Sequence, residues 1–361
     1  MRFGLRLWTA AAVAVLILFA GLYLLGAFDR ARPGLKLGIS PYQDTAMPVI
    51  TQTEGFFRRE GVQVELQTIQ WENVIPALAS NGRTVDVAIG SINTFLPRAT
   101  AVNAGRDDPV VFYAPLYVFK GASLVARSGS GLTPYRDLLA RNKGDRPAAL
   151  RELMAQLRGK HIGVPSGTPY EQMLLQAVRE GGAQVSAFDL RDVQIADGLP
   201  ALLSGTLDVA AAGVTQRTEA ARHGHYVLIQ TEDLGFAEII GLVTKRSIAQ
   251  SHRAELEAIR RAWFDTIQLL RSDPRRASRG VLAYLDKNAS THYTFDEYVQ
   301  SLQAQEFPPT QAEADLMFNT PSGRFYWRRT WDIVNAYLIG TGKARTPVPY
   351  TYYYPRQVTQ Q

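Results

Sequence analysis

From Leu35 onward the apolar positions follow two alternating periods. Short apolar runs such as "IGV" at Ile162–Val164 pass through turns into stretches with helical spacing, as in Met173, Leu174, Leu175, Ala177 and Val178. The alternation occurs twice. "LKLGISPYQDTAMPVITQTEGFFRREGVQVELQTIQWENVIPALASNGRTVDVAIGSINTF" (Leu35–Phe95) and "GKHIGVPSGTPYEQMLLQAVREGGAQVSAFDLRDVQIADGLPALLSGTLDVAAAGVTQRT" (Gly159–Thr218) run in the same order. In each, a strand ends in a Ser/Pro/Tyr turn, a helix closes near Glu-Gly, and a second strand follows. "PALAS" (Pro76–Ser80) matches "PALLS" (Pro200–Ser204), and "VDVAIG" (Val85–Gly90) matches "LDVAAAG" (Leu207–Gly213). The pattern predicts two β-α-β-α-β units, each a parallel sheet covered on both faces. Strand-rich segments follow each unit, at Val110–Arg127 and Tyr226–Arg246, and are read as crossing connections that form a hinge. After Ser247 the pattern is helical. Leu256, Ile259, Trp263, Ile267 and Leu270 form an apolar stripe in His252–Asp273. The aromatic tail "YTYYYPRQ" reads as surface packing.

The first thirty residues differ. Arg2 and Arg6 precede an apolar run, Leu7–Phe28. As a helix this run spans about 33 Å, enough for a hydrocarbon core of about 30 Å and longer than a typical secretory h-region. Asp29 and Leu25 spoil the small-x-small pattern before Ala31 and Ala27. An uncleaved signal anchor over 1–32 is therefore expected, with a cytoplasmic N-terminus and the body outside the membrane.

Composition narrows the chemistry. The chain has no cysteine, which excludes disulfides, a thiolate nucleophile and cysteine-based metal sites. A net charge of +6 comes without a Lys/Arg block interleaved with aromatics, so no nucleic-acid partner is expected. His223 and His225 share a loop without an acidic partner nearby in sequence, and no metal site is expected. There is no Gly-x-Ser-x-Gly elbow, and "PSGT" lacks the lysine of a nucleotide loop. No catalytic residue and no cofactor are assigned.

Ligands of open parallel sheets sit beyond the carboxyl ends of the strands. Those places are Ser40–Tyr42, Gly90–Asn93, Pro165–Thr168 and Gly213–Thr215. The candidate ligand-binding residues are accordingly Ser40, Tyr42, Gly90, Ser91, Asn93, Ser166, Gly167, Thr168, Gly213 and Thr215, together with Tyr117 and Glu238. Thr168 and Pro169 are also an ordinary helix start, so the opening of Pro169–Val178 reads both as a cap and as a seat for an anionic or hydrogen-bonding ligand head. Glu238 is a lone carboxylate in the apolar run "GFAEIIGL". It is read either as an exposed strand position or as an acceptor for a ligand amine or ring N–H. Trp71, Tyr42 and Tyr117 are candidates to stack on a flat ligand, or else core aromatics.

The motifs "EGFFRREGVQVEL" (Glu54–Leu66), "PALASNGRTVDVAIG", "LRGKHIGVPSGT" (Leu157–Thr168), "LLSGTLDVAAAG" and "IVNAYLIGTGKARTPVPY" (Ile333–Tyr350) resemble the substrate-binding proteins of ABC importers. The branch is the one with nitrate, sulfonate, taurine and thiamine-pyrimidine binding proteins. The resemblance covers roughly Leu35–Tyr354. It implies a two-lobed α/β fold of the periplasmic-binding-protein type II kind, with two hinge strands and no catalysis. Lobe 1 would comprise 33–120 and 238–361, and lobe 2 would comprise 121–237. The implied role is an extracytoplasmic solute-binding component, monomeric, working with ABC permease subunits on a small-molecule ligand. A membrane-tethered sensor of the same fold is the first alternative. A pyrimidine-synthase-like enzyme is the second, although those rely on a cysteine-rich run absent here. Two features depart from the family: Gly129–Gln156 is longer than its usual link, and no tryptophan follows the first strand.

Overall fold

A computed structural model describes residues 34–80, 84–235, 237–289 and 292–354. The expected anchor, Leu7–Phe28, lies outside them. Among the described residues, no helix is long and apolar enough to cross a membrane. From Leu35 on, the chain forms one compact unit built on two sheets.

The strands are β1 (Leu35–Ile39), β2 (Val64–Thr68), β3 (Val87–Ser91), β4 (Val110–Phe119), β5 (Ser123–Ala126), β6 (His161–Val164), β7 (Asp189–Asp192), β8 (Val209–Ala212), β9 (Tyr226–Gln230), β10 (Glu238–Lys245) and β11 (Gln305–Glu306). The first sheet has the order β11-β4-β10-β3-β1-β2, and the second β7-β6-β8-β5-β9. In both, the first three strands of a repeat pair in parallel, and the next neighbour runs antiparallel. That antiparallel strand is not local. In the second sheet it is β5, which has just arrived from the first. In the first sheet it is β10, which has just returned from the second. The α/β repeat read from the sequence is present in both halves.

The two crossings lie side by side. Thr231 N–H donates to the Ala122 carbonyl (2.9 Å), and Thr231 Oγ1 donates to the Lys120 carbonyl (2.7 Å). Gly121 leaves no room for a side chain, since a Cβ there would stand 2.7 Å from Val214 Cγ2 and 2.8 Å from Ala304 Cβ. The passage between the sheets is thus a narrow, hydrogen-bonded strap rather than a loose linker.

β4 is buried along its whole length. Burying each of its large apolar side chains contributes roughly 1.5–3 kcal/mol. It contains Pro115, which cannot donate to a ladder. The strand tolerates it because the register with β10 shifts between Ile240 and Gly241, opposite Tyr117 and Pro115. This bulge brings the two backbones close, and a Cβ on Gly241 would fall 2.1 Å from the Ala114 carbonyl oxygen. The bulge follows closely on Glu238, near the end of β10 that reaches the cleft.

The long 129–156 segment folds as two helices, Tyr135–Arg141 and Arg146–Leu157, the second capped by Asp145. Arg146 ties them to Glu180 (2.7 Å). The stripe in the helix Arg253–Ser272 is as expected: Leu256, Ile259, Trp263 and Ile267 are buried. The tail is a correction. Tyr353 is buried, stacked on Trp327 with ring centroids 3.9 Å apart, and Tyr354 N–H donates to the Phe112 carbonyl (2.8 Å). An aromatic ring this large recovers more free energy inside the first sheet's flank than on the surface.

Gly241→Ala is expected to destabilise the protein by about 1–3 kcal/mol, through forced separation of β4 and β10. Thermal unfolding followed by circular dichroism checks this, and an unchanged melting temperature would contradict the close packing.

Candidate functional site

Because β10 runs against its neighbours, its first residue lies at the same sheet edge as the carboxyl ends of β1, β3 and β4. Glu238 accordingly pairs with Phe119, the last residue of β4. The turn after β1 reaches the same edge. It is shaped by Thr45 Oγ1 donating to the Ser40 carbonyl (2.8 Å) and by Ala46 N–H donating to the Tyr42 carbonyl (2.9 Å). From the second sheet, the turn after β8 and the starts of the helices Pro169–Glu180 and Ile195–Leu203 face it. Between them lies a cavity of about 30 Å³, room for one or two waters. Its wall includes Tyr42, Asp44, Trp71, Phe119 and Glu238 from the first sheet's side, and Tyr170, Ile195 and Gly213 from the second.

The wall is aromatic and acidic. Asp44 is buried, and both its oxygens are used: Thr45 N–H donates to Oδ1 (3.0 Å) and Tyr117 Oη to Oδ2 (2.9 Å). Burial pushes its carboxyl up to about 6, and the Tyr117 bond opposes the rise. Glu238 is 3% exposed. Burial pushes it up to about 8, against the Ser91 hydroxyl and with the nearby Asp44 adding to the rise. Among the described residues, its Oε1 has no hydrogen-bond partner. Burial also raises Glu72, which sits beside Trp71 and is held by the backbone N–H of Ile195 across the cleft. Among the described residues, no Lys, Arg or His is in the wall.

Few bonds join the two sides. Asn93 Nδ2 donates to Gln172 Oε1 (3.2 Å), and Gln172 Nε2 donates to the Asn93 carbonyl (2.8 Å). Thr215 Oγ1 donates to Gln43 Oε1 (3.0 Å). Arg98 donates to the carbonyls of Gly167 (2.7 Å) and Ser166 (3.4 Å). Desolvation lowers the Arg98 guanidinium, and Glu72 opposes that shift. Lys343, beyond the helix Trp327–Gly340, bridges to Glu171 (2.6 Å).

The twelve sequence candidates separate into groups. Tyr42, Gly213 and Glu238 are in the cavity wall. Asn93 and Thr215 lie beside it and join the two sides. Ser91 caps the helix Ile92–Asn103 and lies against Glu238. Ser40 is buried beneath the turn, and Gly90 lies inside β3, where a Cβ would meet Val243 at 3.0 Å. Tyr117 is not a stacking surface for a ligand. It is stacked on Trp263 (5.5 Å) and positions Asp44 from below.

In the loop Ser166–Thr168, three donors are taken within the chain. Ser166 N–H is taken by Asp192 (2.9 Å), Gly167 N–H by Glu171 (2.7 Å), and the Thr168 hydroxyl by the Pro165 carbonyl (2.6 Å). Two carboxylates of the chain thus sit just before the N-cap of this helix, where its positive end favours them. Sequence reasoning missed Asp44, Tyr170, Gln43 and Arg98. Asp44 had a usable signal, being an acid two residues after the "SPY" turn at a strand end. Arg98 and Tyr170 had none, since their roles depend on how the two halves meet.

Comparison with solved structures places this fold among known binding proteins. The periplasmic aliphatic sulphonate binding protein SsuA from Escherichia coli superposes with a TM-score of 0.62 at 15% identity, over 92% of this chain and 95% of that one. The periplasmic nitrate-binding protein NrtA from Synechocystis PCC 6803 gives 0.55 at 15%, over 87% and 91%. The Candida albicans CA3427 gene product, described as having the generic periplasmic binding protein fold, gives 0.60 at 16%, over 86% and 91%. No curated protein matches the chain. A family model described as the NMT1-like family matches residues 29–284. That is well over half of the 361 residues, and the chain belongs to the NMT1-like family.

Proposed function

We propose that this protein is the extracytoplasmic solute-binding component of an ABC importer. The observation that carries the reading is the cavity itself. It is walled from both sheets, lined by buried polar groups, and closed by a handful of side-chain bonds across a two-strand strap. A pair of rigid bodies joined this way opens and closes as a hinge, and a solute with more contacts in the closed form shifts the balance towards it. The named neighbours that bind sulfonates and nitrate share this architecture.

Lobe 1 would comprise 33–120 and 238–361, and lobe 2 would comprise 121–237. This division is supported by the chain passing between the sheets after β4 and again before β10. The closed form is what the permease recognises. The apolar run Leu7–Phe28 tethers a monomer to the outer face of the cytoplasmic membrane, which raises the local concentration near the permease without altering the site.

Removing the clamp at Arg98 tests the hinge. Arg98→Met removes charge-assisted bonds worth about 1.5–3 kcal/mol each, so the balance shifts towards the open form by about ten- to a hundredfold per bond. X-ray scattering should then give a larger radius of gyration with the unfolding transition still cooperative. An unchanged radius would contradict closure by these bonds. For the tether, the full-length chain should stay in the membrane pellet after an alkaline wash, with Leu35 onward open to protease from the periplasmic side. Recovery of a soluble form beginning near Ala27–Arg32 would contradict it.

A further inference from the structure

We propose that the solute is a small organic cation bearing N–H donors, such as a primary ammonium or an amidinium group, held by Glu238 and Asp44 within the ring of Tyr42, Trp71 and Tyr170. This deepens the solute-binding reading and rests on it. Three observations converge. Among the described residues, the cavity wall holds two buried carboxyl groups and no basic side chain. One carboxyl oxygen, Glu238 Oε1, has no partner among the described residues, so it requires a donor from the cavity. Four aromatic side chains, Tyr42, Trp71, Phe119 and Tyr170, complete the wall, and aromatic faces attract cations, most strongly where water is excluded.

The wall offers an anion no basic side chain among the described residues. Arg98 donates to the Gly167 and Ser166 carbonyls, and Arg217 donates to Gln230 (3.1 Å). The helix start at Ser166–Thr168 is occupied by Asp192 and Glu171. The proposal places the ligand head at Glu238 instead of at that loop.

The groups facing Glu238 fix the sign of a pH effect. They are Ser91 at the end of β3, Asp44 from the turn after β1, Tyr117 from β4 and Tyr170 from across the cleft. The Ser91 hydroxyl favours the ionised carboxylate, but burial and the neighbouring Asp44 outweigh it. In the ligand-free protein Glu238 is protonated below about pH 8. A cation binds the ionised form and must displace that proton. Its affinity therefore rises with pH, by about tenfold per unit for one displaced proton, and levels off above about 8. A ligand that accepts a hydrogen bond from the protonated acid shows the opposite slope.

The same carboxyl sets the stability of the ligand-free form. Its folded-state value lies above the ordinary 4.5, so its contribution is fully present below 4.5 and is lost as pH rises towards 8. Glu238→Gln cannot ionise, so without ligand it should melt above the wild type at pH 8, with the gap closing near pH 5.

The test is thermal shift and calorimetry on the purified full-length chain. Methylammonium, ethanolamine and guanidinium are the cation probes, nitrate and methanesulfonate the anions, and tetramethylammonium a cation without N–H. The expected result is stabilisation by at least one N–H cation, little by tetramethylammonium, and none by the anions. Affinity should rise between pH 6 and 8, and Glu238→Gln should weaken binding about ten- to a hundredfold. Stabilisation by an anion alone overturns this inference and leaves the solute-binding reading standing. No stabilisation by either set counts against both. A binding slope that falls with pH in the wild type overturns the inference even if the variant does not fold.

Discussion

Each sheet receives its antiparallel strand from the other half of the chain, and the rest of the structure follows from that exchange. Because β5 and β10 are inserted next to β8 and β3, neither sheet is complete without a segment that has crossed the cleft. The crossings must lie together, which is why Thr231 bonds to both Lys120 and Ala122 and why Gly121 carries no side chain. The exchange also delivers the start of β10 to the edge where β1, β3 and β4 end. That single topological fact puts Glu238, an acid in an apolar run, at the wall of the cavity rather than on a surface.

Burial then determines the chemistry. A carboxyl inside a wall of aromatic side chains resists ionisation, and a neighbouring carboxyl makes ionisation harder still. Asp44 and Glu238 meet this differently. Asp44 is fixed in place by Tyr117 and by its own turn. Glu238 retains an oxygen without a partner among the described residues. An unsatisfied buried acceptor destabilises a ligand-free binding protein, and a ligand that supplies the missing donor recovers that energy on closing. The weak point of the ligand-free fold and the selectivity of the site are thus the same atom.

Much of the architecture was legible in the sequence because local rules and tertiary structure agree. The paired motifs at Pro76–Ser80 and Pro200–Ser204 sit on equivalent helices, and the strand ends at Ile39, Ser91 and Ala212 lie where the apolar runs stop. The site was legible only in part. Tyr42, Gly213 and Glu238 follow from the rule that ligands lie beyond strand ends. At the loop before Thr168 the sequence did not reveal that Asp192 and Glu171, from the same half, accept from Ser166 and Gly167 N–H. Arg98 and Gln172 were invisible because they act across the cleft, between residues far apart in the chain. Tyr353 was misjudged because its burial depends on Trp327 and Phe112, which the tail meets only in the folded first half.

The central claim is that a donor-bearing solute sits against Glu238 in a cleft closed from both sides. A crystal structure of the protein with the cation probe that stabilises it most tests this directly. The account predicts a ligand nitrogen within hydrogen-bond distance of Glu238 Oε1, between Tyr42 and Tyr170, with the Arg98 bonds to Ser166 and Gly167 intact. A ligand seated instead at the Ser166–Thr168 helix start, with Arg98 turned towards it and Glu238 still without a partner, would contradict it.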